Sequence, residues 1–313
     1  METLSFSMRV KEESARVERT DEEKRAFLSS FIHQSSYISL SDKKDILDIY
    51  SEQAIIVKTI YLYIDSLYGL KGKFSYTRSS AFKKRLVFHL LIDNARDLLS
   101  DLDIDFFSGN LPESLIKTPE QKASYMAGLF LANGSVNSPG SKSYHLEIKV
   151  GNEAYAKKVM KLWNKGLPVL FSSKIVSRRG HEIIYLKRSG EISDFLILLG
   201  AKQCCLEFEN VRTDRDFVNI DNRFTNLDMA NLSKTIKASE KQQEAIKFLK
   251  ESGEIYNITN PKLSVLINIR EKYPDASLNE LAALLSKEMN TEITKSNINH
   301  LFRSLLKLYE EKK

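Results

Sequence analysis

The sequence holds 313 residues, 42% apolar and 28% charged, with a formal net charge of +6. That length gives two or three domains with room for a sizeable core, and the composition is that of an ordinary globular chain. The positive balance permits a nucleic-acid partner without requiring one, and no apolar run is long enough for a membrane span, so no membrane partner is expected.

Residues 1–19 are amphipathic and mixed in charge, without the apolar core of a signal peptide. Export is therefore not expected, and the localisation read from the sequence is cytoplasmic. Thr20 or Asp21 can cap a first helix, with Glu22 and Glu23 favourable in its first turn. Residues 45–50 predict a strand, and from Ser51 a long apolar helix runs to about Tyr68, where Gly69 stops it. Residues 71–77 and 83–90 read as strands of a hairpin around Arg78-Ser79-Ser80. A short helix is expected over 94–101, then a loop over 106–119 broken by Gly109 and Pro112.

Pro119 suits the first turn of the next helix. Its body, Ser124-Tyr125-Met126-Ala127-Gly128-Leu129-Phe130-Leu131-Ala132-Asn133-Gly134-Ser135, is apolar almost all round, as in a buried helix. Ser124, Gly128 and Ala132 recur every four residues, a small-residue stripe on which another backbone can lie very close. Glycine inside a helix costs roughly 0.5–1 kcal/mol against alanine, so Gly128 calls for a packing reason. Asn133-Gly134 is expected to end the helix in a left-handed turn. The first helix lines up with this one, placing Ala26 and Ser30 opposite Ser124 and Gly128. Two unrelated core helices would show the same stripes, so the repeat rests on the elements downstream of each helix. After 134 come a loop at Ser138-Pro139-Gly140, a strand alternating through Tyr144, Leu146, Ile148 and Val150, a helix over 153–164, strands over 169–176 and 182–187 around Arg178-Arg179-Gly180, and a helix over 191–199. Helix, strands, helix, hairpin, helix thus occurs twice.

Cys204-Cys205, the two cysteines, give no disulfide framework and no zinc cluster, and read as small buried residues. Residues 212–221 are polar and charged, and a helix is expected from Asp228 to about Lys250, stopped by Ser252-Gly253. In the last sixty or so residues, Leu263, Leu266, Ile267 and Arg270 mark one helix that ends at Tyr273-Pro274. Ser277-Leu278-Asn279-Glu280 is a capping box for a second, carrying Leu281, Leu284 and Leu285. Thr294 or Ser296 can cap the last helix. Ile298, Leu301, Phe302, Leu305 and Leu308 share its apolar face; Ser296, Asn299, His300, Arg303 and Lys307 share the other, with Lys295 at its start. Such a face suits base edges and phosphates, although a three-helix bundle with a solvated face has the same pattern.

Met126-Ala127-Gly128-Leu129-Phe130-Leu131-Ala132-Asn133-Gly134 resembles a degenerate LAGLIDADG motif, the central helix of a homing-endonuclease fold. The whole chain resembles the WhiA family of bacterial regulators. The most specific linear match is Asn222-Arg223-Phe224-Thr225-Asn226-Leu227-Asp228-Met229-Ala230-Asn231-Leu232-Ser233-Lys234-Thr235, and Ser5-Phe6-Ser7-Met8-Arg9-Val10-Lys11-Glu12-Glu13 and Thr294-Lys295-Ser296-Asn297-Ile298-Asn299-His300 add to it. The resemblance implies an α+β fold: a pseudo-two-fold LAGLIDADG homing-endonuclease-like domain joined to an all-α helix-turn-helix domain. Its expected layout is an N-terminal helix or arm over 1–19, the LAGLIDADG-like domain over 20–208 with repeats 20–116 and 117–208, a polar linker and helix over 209–257, and the DNA-binding domain over 258–313. The helix-turn-helix lies between about Ser277 and Leu308, with Lys295, Ser296, Asn299, His300, Arg303 and Lys307 as its DNA contacts. Asn222, Arg223, Asn226, Asn231 and Lys234 are candidates for DNA or interdomain contact, open to two readings, phosphate contact or a capped linker helix with its own side-chain hydrogen bonds.

Nucleases of the LAGLIDADG type place a carboxylate at the foot of each central helix, and the pair binds the metals that activate water. Here those positions are Asn133 and Ser35, neither of them ionised. Asp42 and Asp45 lie downstream without a symmetric partner. His33, His89, His145, His181 and His300 are scattered without metal spacing, and Gly69-Leu70-Lys71-Gly72-Lys73 lacks the pattern of a phosphate loop. No catalytic residue, metal, cofactor or small-molecule ligand is therefore expected. The resemblance implies a sequence-specific transcriptional regulator with double-stranded DNA as partner, nucleoid-associated, acting in cell division, chromosome segregation and, in spore-formers, sporulation. Further regulatory or transcription proteins are left open as partners. The rivals are an active homing-type endonuclease with an accessory DNA-binding tail and an adaptor that does not bind DNA.

Overall fold

Thr20 and Thr118 open the two helices around which the first part of the chain is built. Their hydroxyls accept from the backbone N–H of Glu23 and Gln121 at 3.4 and 3.3 Å, and those side chains return a bond to the cap N–H at 2.9 and 3.0 Å. Each reciprocal pair satisfies two orphan donors and starts α2, Asp21–Gln34, and α5, Pro119–Asn133. The computed structural model describes residues 4–41, 44–78, 86–107 and 109–313. Asp42, Ser79-Ser80 of the expected turn and residues 83–85 of the expected strand lie outside the described residues.

The small-residue stripe has the packing reason it called for. A Cβ at Gly128 would stand 2.1 Å from the Ser30 hydroxyl and 2.3 Å from the Phe27 carbonyl oxygen. The two helices therefore meet backbone to backbone, and Ala26, Ser30, Ser124 and Ala127 are all buried there.

Each central helix leads into the same order of elements. After α2 come β1 (Ser36–Ser41), β2 (Lys44–Ser51), α3 (Ala54–Tyr68), β3 (Gly72–Arg78), β4 (Leu86–Asp93) and α4 (Arg96–Asp101). After α5 come β5 (Gly134–Val136), β6 (Leu146–Val150), α6 (Glu153–Lys165), β7 (Lys174–Arg178), β8 (His181–Leu186) and α7 (Ser189–Leu198). The two four-stranded antiparallel sheets have matching orders, β1-β2-β4-β3 and β5-β6-β8-β7. Alternation puts Leu47, Ile49, Leu90 and Ile92 of one sheet, and Leu146, Ile148, Ile184 and Leu186 of the other, into a shared core. α1, Phe6–Ala15, adds Phe6 and Val10 to that core, and Cys204 and Cys205 are buried in it with free thiols.

Several local readings need correction. Asn133-Gly134 makes no left-handed turn: Gly134 is extended, at φ −80° and ψ 154°, and β5 begins on it directly. Its glycine is required by contact, because a Cβ would stand 2.2 Å from the Phe130 ring. β1 follows α2 with equal abruptness, and no breaker in the sequence marks its start. β7 starts only at Lys174, since Ser173 before it is held by Asn164 through bonds of 2.7 and 2.8 Å. The Arg179-Gly180 turn has both residues at positive φ, 51° and 74°, as a two-residue hairpin needs.

The largest difference is α8, which runs unbroken from Lys202 to Glu251. The polar stretch 212–221 is helical, not a linker. Charged side chains do not break a helix, and the segment contains neither glycine nor proline. The chain divides into two compact units, Met1–Arg215 and Asp216–Lys313. In the second unit, the end of α8 packs with α9 (Pro261–Lys272), α10 (Leu278–Met289) and α11 (Lys295–Lys312). Their core joins Ile246 and Leu249 to Leu263, Leu266, Leu281, Leu285, Ile298, Phe302 and Leu305.

Candidate nucleic-acid interface

Ser277 and Glu280 form the expected capping box of α10, with bonds of 3.3 and 2.7 Å. Asn290 ends that helix in the left-handed conformation, at φ 49°. The turn is then pinned by one hydroxyl: Ser286 donates to the Ala282 carbonyl at 2.7 Å and accepts from the Ile293 N–H at 3.0 Å. Thr294, not Ser296, caps α11, in a second box with Asn297. Asn297 is thereby committed to holding the helix start.

Along α11, Ile298, Leu301, Phe302, Leu305 and Tyr309 are buried. Lys295, Ser296, Asn299, His300, Arg303 and Lys307 are all exposed. At about 100° per residue, Ser296, Asn299, His300, Arg303 and Lys307 fall within an arc of roughly 100°. Lys295 stands beside that arc in the first turn. The unit thus presents one contiguous face of donors opposite its core.

That face is braced by a residue whose sequence position reads simply as part of an apolar stripe. Arg270 is 1% exposed. Its Nε donates to Gln242 at 2.9 Å and its Nη1 to the carbonyls of Pro274 and Ala276 at 3.1 and 2.7 Å. Its guanidinium carbon lies 5.3 Å from the Phe302 ring centroid, and burial lowers its pKa from the usual value. A buried guanidinium so partnered ties α8, the α9–α10 turn and α11 together.

The Asn-rich stretch sits differently. Asn222, Arg223, Asn226, Asn231 and Lys234 are all exposed on α8. They are not gathered on one face: Asn222 and Asn226 lie one turn apart, Arg223 and Lys234 share another side, and Asn231 lies on a third.

At the foot of α2 and α5, Ser35 is 3% exposed and the Asn133 amide donates to the Gln34 carbonyl at 3.4 Å. The two positions line one cavity of about 450 Å³ with Lys11 of α1. No sequence signal places Lys11 there; only the docking of α1 does so. Burial pushes its amine down to about 8, with Glu52 opposing. Of the residues lining the cavity, Glu52 is the one carboxylate, so the donor set is that of neutral oxygens and an amine rather than of paired acids.

Three family models match the chain in succession: the WhiA N-terminal LAGLIDADG-like domain over residues 21–105, the WhiA LAGLIDADG-like domain over 122–218, and the WhiA C-terminal HTH domain over 222–309. The chain belongs to the WhiA family. Probable cell division protein WhiA of Staphylococcus aureus, from strains JH9 and Newman, is 34% identical to it over 306 residues, 96% of this chain and 95% of that one. The crystal structure of full-length WhiA from Thermatoga maritima has the same fold, with a TM-score of 0.57 and 23% identity, covering 98% of this chain and 99% of that one. The WhiA helix-turn-helix model begins at residue 222, well before the boundary of 258 read from the sequence. The burial of Ile246 and Leu249 accounts for this, since the last turns of α8 belong to that core.

Two of the five histidines pair with a carboxylate, which their scatter concealed. On the first sheet, His89 Nδ1 lies 3.0 Å from Asp48, which also accepts from the Tyr37 hydroxyl. On the second, His145 Nε2 lies 2.9 Å from Glu147, which accepts from Ser135 at 3.4 Å. Asp48 and Glu147 occupy corresponding places on β2 and β6, so both sheets fix a carboxylate on the face away from the core. Among the described residues no group of three or more His, Cys, Asp or Glu could hold a metal ion, and no helix is long and apolar enough to cross a membrane.

Proposed function

We propose that this WhiA-family chain is a sequence-specific DNA-binding transcriptional regulator without nuclease activity. It acts in the cytoplasm at the nucleoid, in cell division and chromosome segregation, and in sporulation where the host forms spores. The observation that carries the reading is the exposed arc of Ser296, Asn299, His300, Arg303 and Lys307 on α11, opposite a buried face and fixed by Thr294 and Arg270. Double-stranded DNA is its partner. The helix N-terminus meets the backbone and the arc enters the major groove. Of the exposed residues on α8, Arg223 and Lys234, which share one side, can add phosphate contacts, while Asn222, Asn226 and Asn231 are open to DNA or interdomain contact.

The test is a salt titration of full-length variants on a specific and a random duplex. Lys295→Ala weakens both and lowers the salt slope by roughly one counterion. Asn299→Ala and Arg303→Ala each cost roughly 1–3 kcal/mol on the specific site and less on random DNA. Neutrality of all three on both duplexes removes α11 as the recognition helix.

The absence of nuclease activity rests on the donor set at the foot of the central helices, where Ser35 and Asn133 stand in place of two carboxylates. With magnesium or manganese, duplex DNA stays intact. Specific cleavage that Asn133→Ala abolishes would overturn this reading.

A further inference from the structure

Between Asp216 and Lys237, α8 carries an apolar strip that stands in solvent. Phe217, Ile220, Phe224 and Leu227 are 67, 48, 63 and 56% exposed, and none of them belongs to either core among the described residues. All four lie in the second unit. Single apolar residues scattered on a surface need no explanation. These four are spaced three and four residues apart, so they run along one side of the helix. That spacing is the a and d pattern of a coiled-coil seam, with Phe217 and Phe224 at a and Ile220 and Leu227 at d. Asn231 follows at the next a position, where a lone asparagine fixes register at a cost in stability.

We propose that this strip is the seam of a parallel, in-register pair formed with a second copy of the chain. The flanking charges select the direction. Asp221 and Asp228 fall at e, and Arg223 falls at g. A parallel pair sets each g residue beside the e residue five positions on in the other copy, so Arg223 meets Asp228 of the second copy on both sides of the seam. One like pair remains, Asp216 beside Asp221 of the second copy, at the N-terminal end of the strip. An antiparallel pair over the same layers sets e against e and g against g, which brings Asp221 against Asp228 twice and Arg223 against itself. In the parallel pair Asn231 faces its own copy across the seam, and the g side chains keep an outer side in solvent, which leaves Arg223 open to phosphate. At their exposures the four apolar side chains offer roughly 450 Å² per copy, so pairing hides about 900 Å² beyond the stems of the flanking residues. That is the size of a weak, reversible association, as two heptads would give. A parallel pair sends both copies of the second unit from one end of the seam, the arrangement that two half-sites on DNA require. The seam itself does not depend on DNA, and its test contains none.

Sedimentation velocity of the full chain, from about 2 to about 200 μM, shows a reversible monomer–dimer equilibrium with a dissociation constant in the micromolar range. Leu227→Glu changes a side chain that is exposed in the single chain, so the variant folds, and it weakens association by at least about tenfold. Met229→Glu, equally exposed but on the side of α8 away from the seam, leaves the equilibrium unchanged. Asn231→Cys reads the direction. With diamide as oxidant the two introduced thiols join in a parallel pair, whereas in an antiparallel pair they stand about 27 Å apart, too far for a disulfide. The wild type, whose Cys204 and Cys205 are buried, gives no such cross-link. A chain that stays monomeric at about 200 μM, as it does when another part of the same chain covers the strip, overturns the proposal. So does an unaltered equilibrium in Leu227→Glu, or an equal loss in Leu227→Glu and Met229→Glu, which marks unspecific apolar contact. A dimer in which Asn231→Cys forms no disulfide overturns the parallel seam.

Discussion

Lys11 is the residue at which sequence and structure differ most in meaning. In the sequence it is one of 47 basic residues. In the fold its amine stands in a cavity, and burial lowers its pKa from 10.5 to about 8. The folded value lies below the unfolded one, so charging this amine costs stability. Below pH 8 both states are protonated and the full cost is present. Between pH 8 and 10.5 the folded state gives up its proton first, and stability rises; above that range the cost is gone. Lys11→Met accordingly stabilises the first unit at pH 7 by about 2 kcal/mol, after allowance for the partial exposure of the side chain. The advantage shrinks as the pH approaches 10.5. Urea unfolding of variant and wild type at pH 7 and pH 9.5 measures it, and a constant difference would assign the effect to packing instead.

At the scale of elements, the contact between α2 and α5 decides the first unit. Gly128→Ala should be favourable by about 1 kcal/mol from helix propensity alone. The added carbon would meet the Phe27 carbonyl oxygen at 2.3 Å, and a backbone atom cannot swing aside. The variant is therefore destabilised by about 2–3 kcal/mol. Gly140→Ala is the control, since a Cβ there meets open space, and it changes stability by less than about 0.5 kcal/mol. Thermal unfolding of both variants checks the pair; equal behaviour would mean that the helices can separate without cost. α10 owes its start to a capping box that is visible in the sequence, and α11 to one of two cap candidates that the sequence offered. What lay out of sight was the buried Arg270, because an arginine on an apolar stripe is as easily an exposed one with its stem packed down.

For the whole molecule, the division into Met1–Arg215 and Asp216–Lys313 determines where the chain can be cut. A fragment over 216–313 keeps Ile246, Leu249 and the Gln242 partner of Arg270. A fragment over 258–313 loses all three and leaves a buried guanidinium short of an acceptor. The longer fragment melts cooperatively, whereas the shorter one is less stable by about 3 kcal/mol or more. Circular dichroism melts of both fragments test this; equal stability would place the end of α8 outside the core. Fragment Met1–Arg215 keeps the whole core of the first unit, from Phe6 to Phe208, and is expected to melt cooperatively on its own.

Local chemistry determined a great deal without tertiary information. The capping box at Ser277, the cap candidates at Thr20 and Thr294, the alternation through Leu146, Ile148 and Val150, and the glycines after α3 and α8 act within a few residues, so the linear chain reveals them; the box at Thr118 and the choice of Thr294 over Ser296 came from the structure. The two repeats and the apolar and polar faces of α11 were legible for the same reason, because periodicity is a property of sequence. The neutral residues at the foot of the central helices could be named as well. What those positions face could not, since Lys11, Gln53, Ser35 and Asn133 come from four separate elements and meet only when α1 docks. The continuity of α8 was decided by the absence of a breaker together with burial at both ends, and the polar run between them concealed it. The left-handed turn expected at Gly134 failed because a glycine can answer either to backbone conformation or to a neighbouring ring, and only the position of the Phe130 side chain tells which.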